Sequence, residues 1–230
     1  MAVDACRRAV DGLLAHRVLR RRRADVSAES LLRGAWASAV LAGSSATLAE
    51  VRSGLAADPI VQGALRVSAA LAALADPWAG AQRQVLARLH ALAAAGLAEP
   101  AVLGRPRADR EVAHRLDLLA EVLSRTSAPA LVVAAVVQGE LLGLDAFPPA
   151  SGVVARAAAR LTLIDRGLDP RSLVVLEAGE LELRDRSGSA LAGYLSGDQQ
   201  GVVDWVRHCG AAAELGVRES LAICAAMQRG

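Results

Sequence analysis

A chain of 230 residues can bury one sizeable core, and 53% hydrophobic residues with 2% aromatics leave Ala, Leu and Val to build it. Lys and Asn are absent and all 26 basic residues are Arg, the coding bias of a GC-rich bacterium, so an Arg count says little about function. A net charge of +2 provides no long-range field for nucleic acid, which excludes a specific nucleic-acid partner on electrostatic grounds. The longest apolar run, Ala128 to Val137, is about half of the roughly 20 residues a membrane span needs. Asp4, Arg7, Arg8 and Asp11 stand where a signal peptide would be apolar. Cys6, Cys209 and Cys224 are odd in number and widely spaced, which points to reduced thiols and a cytoplasmic location.

In chain order the punctuation is helical. A first helix is expected from Asp4 to Arg23, then a second from Ala28 to Ala42, capped by Ser27 and stopped at Gly43. Arg20 to Arg23 read as a solvated helix end, since no aromatic lies near to stack on bases. Thr47 and Glu50 have capping-box spacing for a short helix closed by Gly54. Asp58-Pro59 and Asp76-Pro77 each pair a capping carboxylate with a Pro at the first helical position, opening helices over Ile60–Leu74 and Trp78–Ala95. A loop from Gly96 to Asp109 leads to a helix ending near Ser124. Ala130 to Leu142 is apolar on more than one face and should be buried all round.

A further helix is expected over Gly152–Asp165. Only Ser172 to Leu183 alternates with period two, which suggests one small β-hairpin. Two helices, Gln199–Leu215 and Val217–Met227, close the chain around Gly216. The fold class is all-α, in a single helical domain over residues 1–230. Its N-terminal helices lie in 1–54, its core helices in 60–216 and its C-terminal helix in 217–229. Trp36, Trp78 and Trp205 are too scattered for a cofactor box and read as core anchors. His90, His114 and His208 lack metal-ligand spacing, so no metal and no cofactor is implied.

The most informative stretch is Asp145-Ala146-Phe147-Pro148-Pro149-Ala150-Ser151-Gly152-Val153-Val154-Ala155-Arg156, a Pro-interrupted loop between two apolar helices. A loop that runs into a helix start aims unpaired amides at one spot, which suits an anion. Ser151, Gly152, Arg156 and Arg160 are therefore candidates for an anion site. The competing reading makes Ser151 an ordinary cap and pairs both Arg with carboxylates.

The layout resembles the signature loop of the Fic (Fido) family, His-Pro-Phe-x-(Asp/Glu)-Gly-Asn-Gly-Arg-x-x-Arg. Phe147, Gly152 and Arg156 match, whereas Asp145 stands at the His, Pro149 at the acidic residue and Val153 at the first Arg. The flanks are similar too: Ala134–Leu142 before the loop, Val85–Leu92 with His90, then Gly104-Arg105-Pro106-Arg107, and downstream Tyr194, Gly197-Asp198 and Trp205. Ser38-Ala39-Val40-Leu41-Ala42-Gly43 resembles the family's inhibitory helix, Ser/Thr-x-x-x-Glu-Gly/Asn, with Ala42 at the Glu.

The resemblance implies a degenerate Fic domain. In active members the His is the general base, the acidic residue holds Mg²⁺ and the Arg pair grips nucleotide phosphates. Asp145 is a poor substitute base, with a reference pKa of about 3.9 against about 6.5 for His. Pro149 cannot hold a metal, and Val153 cannot neutralise a phosphate. The implied function is a binding or regulatory module without nucleotidyl (AMP) transferase activity, holding a protein partner and at most weakly a nucleotide or phosphate. The alternative is an enzyme that uses Asp145 and Arg156 on a phosphorylated or nucleotide substrate.

Overall fold

The computed structural model describes residues 2–229. Eleven α-helices and a short 3-10 turn at Pro100–Val102 account for the regular structure of the described residues. The helices are α1 (Ala2–Leu14), α2 (Leu19–Leu41), α3 (Leu48–Ser53), α4 (Pro59–Trp78), α5 (Gln82–Ala94) and α6 (Arg110–Arg125). They continue as α7 (Ala130–Leu144), α8 (Ser151–Asp165), α9 (Leu176–Glu182), α10 (Arg184–Leu195) and α11 (Gln199–Arg229). No helix among the described residues is long and apolar enough to cross a membrane.

Where a helix start depends on neighbours in sequence, its chemistry is local. Thr47 and Glu50 form the reciprocal capping box of α3. The Asp58 carboxylate accepts from the Ile60 amide at 2.9 Å, with Pro59 at the first position of α4. Asp109 accepts from the Glu111 amide at 2.7 Å to start α6.

The centre of the molecule is α8. All of it is buried except Gly152, Ile164 and Asp165, and its Ala-rich surface lets α7, α4, α5 and α2 pack directly on it. α7 is buried on most of its circumference, as its apolar composition demands. One apolar cluster fills the space between α8 and helices α2, α4, α5, α6 and α7. A second joins α1, α7, α9 and α11 around Trp205. Trp78 at the end of α4 anchors the first cluster, its indole N–H donating to Thr162 Oγ1 at 3.2 Å. Trp205 donates to the Ala135 carbonyl at 2.7 Å in the second.

Several expectations from the sequence are corrected. The first helix does not run through to Arg23: it ends at Leu14, and α2 starts at Leu19 with a kink at Arg22. Ser27 lies inside α2 rather than capping it. Asp76-Pro77 ends α4 instead of opening the next helix, with the Gly80 and Ala81 amides bonding back to the Pro77 carbonyl.

There is no hairpin over Ser172–Leu183. Leu173, Val174 and Val175 are buried and irregular, with a bend at Val174, and their amides go to side chains instead of a partner strand. The buried Asp169 carboxylate accepts from Leu173 at 3.0 Å and Val174 at 2.9 Å, and Ser220 Oγ accepts from Val175 at 3.2 Å. The following residues form α9.

Gly216 likewise breaks nothing, since α11 runs unbroken past it to Arg229. A Cβ there would stand 2.6 Å from the Val175 carbonyl oxygen, so the glycine allows the segment before α9 to lie against the helix.

Candidate functional site

α7 stops because Asp145 takes a left-handed conformation, φ 44 and ψ 50, its amide donating to the Leu142 carbonyl at 3.2 Å. Its carboxylate is exposed and makes no hydrogen bond or ion pair with the described residues. The next residues turn inward: Ala146 is fully buried and Phe147 only 2% exposed. Two distant pieces of chain hold this loop. The Arg107 amide donates to the Ala146 carbonyl at 2.8 Å. His90 on α5 donates through Nε2 to the Pro148 carbonyl at 3.2 Å and packs its ring on Phe147, centroids 5.4 Å apart. Donation to a carbonyl places the His90 proton on Nε2, and burial lowers the pKa of the ring.

Ser151 is not a helix cap. Its Oγ accepts from the Phe147 amide at 2.9 Å, tying the loop entry to the first turn of α8. Ala150 occupies the cap position without a side-chain bond. The amides of Ser151, Gly152 and Val153 find no acceptor among the described residues, the usual state of a helix start. The side chains around them are apolar: Ala150 and Val153 are buried at 3% and 5% exposure.

The two arginines of α8 are both buried and have different partners. Arg160 donates through Nη1 to the Glu177 carboxylate at 2.9 Å, the two side chains 3% and 6% exposed. Its Nη2 reaches the Ser172 carbonyl at 3.0 Å and Ser172 Oγ at 2.8 Å. Arg160 thus clamps the segment leading to α9 and takes no part in the loop. Arg156 forms no ion pair with the described residues. Its Nε donates to Ser38 Oγ at 3.0 Å and its Nη2 to the Ser38 carbonyl at 2.9 Å, both on α2. The guanidinium folds back over Gly152, where a Cβ would stand 3.2 Å from Nη1. Burial depresses the Arg156 pKa, and Glu180 and Glu177 oppose that.

Behind Arg156 lies a cavity of about 350 Å³ between α2, α7, α9, α10 and α11. Its polar lining is Gln138, Arg156, Glu180, Arg184, Ser187 and His208; Val40, Leu41, Leu142 and Leu191 line it with apolar surface. Asp145 does not line it. Glu180 is 8% exposed and its Oε1 has no hydrogen-bond partner among the described residues. Burial pushes its pKa up to about 7, against the pull of Arg156. His208 stacks on Trp205 with centroids 5.5 Å apart and meets Ser187 Oγ through Nε2 at 3.1 Å. Burial, aided by Arg186, lowers its pKa, which favours the neutral ring. Among the described residues no cluster of His, Cys, Asp or Glu could hold a metal ion.

No protein-family model matches the chain, and no curated protein matches it either. Solved structures do. A Fic family protein from Desulfovibrio desulfuricans G20 superposes with a TM-score of 0.75 at 19% identity, covering 96% of this chain and 74% of that one. Fic-1 from C. elegans superposes with a TM-score of 0.75 at 18% identity, covering 99% of this chain and 72% of that one. The chain has the Fic fold.

Placed in that fold, the residues matched to the Fic signature lie along one connection, from exposed Asp145 and Pro149 to buried Val153 and Arg156. Ser38, from the stretch similar to the Fic inhibitory helix, is the residue that meets Arg156. Ala42 is the C-terminal cap of α2, and Gly43 follows it with φ 100. Sequence reasoning missed Glu180 and Arg184, because both fell in or beside the expected hairpin, where alternating charge reads as a solvated face. No local pattern could have found them, since the packing of α9 on α11 and α2 turns Glu180 inward.

Proposed function

We propose that this Fic-fold chain does not transfer nucleotidyl groups and acts as a cytoplasmic binding or regulatory module for a protein partner. One observation carries the reading: the only ionisable side chain of the loop, Asp145, is exposed at the end of α7, whereas the remaining phosphate-type anchor, Arg156, is buried against Ser38 and opens to a cavity that Asp145 does not line. Transfer needs a base, a metal carboxylate and phosphate anchors around one point, and effects of groups that act as a unit are not additive. Pro149 and Val153 supply neither metal ligand nor charge. The enzymatic alternative needs Asp145 to face Arg156, and this arrangement speaks against it. Three unpaired, buried cysteines support a reducing compartment.

Incubation with labelled ATP, Mg²⁺ and Mn²⁺, alone and with a lysate, is expected to leave both the chain and other proteins unlabelled. Stoichiometric labelling of either would overturn the reading.

A further inference from the structure

The cavity behind Arg156 has properties that a vestige does not require. It is a cleft between helices, it joins an apolar wall to a few convergent polar groups, and its volume lies in the range of small-molecule sites. Its charges do not cancel. Among the described residues Arg156 is a buried guanidinium without a carboxylate partner, and a second guanidinium, Arg184, stands exposed on α10 with its neighbour Asp185 at 3.7 Å as its one ion pair. Glu177 is taken by Arg160. Glu180 is more than nine-tenths buried, and one of its oxygens is unpartnered. A cation is opposed by two arginines. An anion is favoured by them, provided that Glu180 beside it carries a proton.

We propose that this cavity binds a small organic carboxylate with an apolar body, its carboxylate held by Arg184 and Arg156 and hydrogen-bonded by the protonated Glu180. A single guanidinium fork at the mouth matches a planar carboxylate. Val40, Leu41, Leu142 and Leu191 receive the body. The χ3 torsion of a Glu is broad, so either Glu180 oxygen can turn to the ligand. Around Glu180 the other ionisable groups are Glu177, in its ion pair, Cys209, whose burial keeps it a thiol, and His208, whose burial favours the neutral ring.

The arriving anion and an ionised Glu180 cannot share this space. Binding therefore takes up a proton wherever Glu180 is ionised, and affinity falls as pH rises through about 7. Above that pH the fall approaches about tenfold per unit. This inference does not rest on the absence of transfer: equilibrium binding tests it, and labelling tests the other.

The experiment is a calorimetric or NMR titration of the full chain with benzoate, benzamide, benzylamine and AMP at pH 6 and pH 8. Benzoate is expected to bind saturably, tighter at pH 6, with benzamide and benzylamine weaker by roughly tenfold or more. Arg184→Ala should weaken benzoate by roughly tenfold. Glu180→Gln, which imitates the protonated carboxyl, should keep the pH 6 affinity and flatten the pH dependence. Gly188→Leu is the control for place. Gly188 lines the cavity on α10 with nothing within 4 Å of its added Cβ, so the leucine fits the fold and fills the site. It should abolish binding while leaving the melting temperature equal or higher. The proposal is overturned if benzoate does not bind a folded protein, if benzamide or AMP binds as well as benzoate, if Gly188→Leu leaves affinity intact, or if the pH dependence survives in Glu180→Gln.

Discussion

Two arginines one turn apart on α8 are equally buried, at 5% exposure for Arg156 and 3% for Arg160, yet they live in different regions. Arg160 sits in a closed ion pair with Glu177 and three further bonds to Ser172. Arg156 has a serine, no carboxylate in contact among the described residues, and a cavity beside it. A buried charge that is fully paired is part of the scaffold. One that is hydrogen-bonded but not neutralised leaves its field available to something else. Burial and residue type therefore do not distinguish structural from binding roles here; the completeness of the partner set does.

The contrast can be broken most directly at Arg160. Arg160→Met leaves Glu177 buried without its cation, and a loss of about 3–5 kcal/mol is expected in chemical denaturation. Arg156→Met removes a charge that has no paired carboxylate to strand and should cost less. Equal losses for the two would erase the distinction.

The second test uses Glu180. Its folded pKa of about 7 lies above the ordinary 4.5, so the folded state holds its proton longer than the unfolded chain does. Stability then falls as pH rises from about 4.5 to 7 and levels off above, by an amount on the order of 3 kcal/mol. Glu180→Gln should remove that slope and gain stability relative to the parent at pH 8. Melting temperatures from pH 5 to 8 give the answer, and parallel curves for parent and variant would place Glu180 in an ordinary solvated setting.

A smaller effect is expected at Ser38. Ser38→Ala withdraws the acceptor of Arg156 Nε and should cost about 1–2 kcal/mol, as for a buried donor left unpaired. A neutral result, measured by urea unfolding, would mean that Arg156 finds another acceptor, most simply Glu180. The smallest change concerns the loop. Asp145→Gly relieves a left-handed residue and should gain up to about 1 kcal/mol with no loss of any binding function. A loss of function with that gain would return Asp145 to the chemistry.

The features legible in the residues were those decided within a few positions. The caps at Thr47 and Asp58 join side chain to backbone two or three residues on, so local sequence carries them fully. The Fic resemblance was legible for a related reason: Phe147, Gly152 and Arg156 meet constraints within one loop, where Phe147 packs on His90 and Gly152 makes room for the guanidinium. Ser172–Leu183 misled because such a pattern has two explanations, a strand beside another strand or a buried irregular lead into a helix. Asp169 and Ser220 chose the second by supplying acceptors that a neighbouring strand would otherwise provide.

By itself, the sequence determined that this is an all-α chain with an aliphatic core, where most helices begin, and that one loop has the outline of the Fic signature. Hydrophobic period, capping and loop length act over a few residues and need no fold to be read. Only the tertiary structure decided that Ser38 would meet Arg156, that Glu177 would neutralise Arg160, and that Glu180 would face a cavity. Those outcomes depend on residues 118, 17 and more positions apart in the chain being brought within hydrogen-bond reach. The electrostatic meaning of a charged side chain is set by what surrounds it, and for these residues packing alone supplies the surroundings.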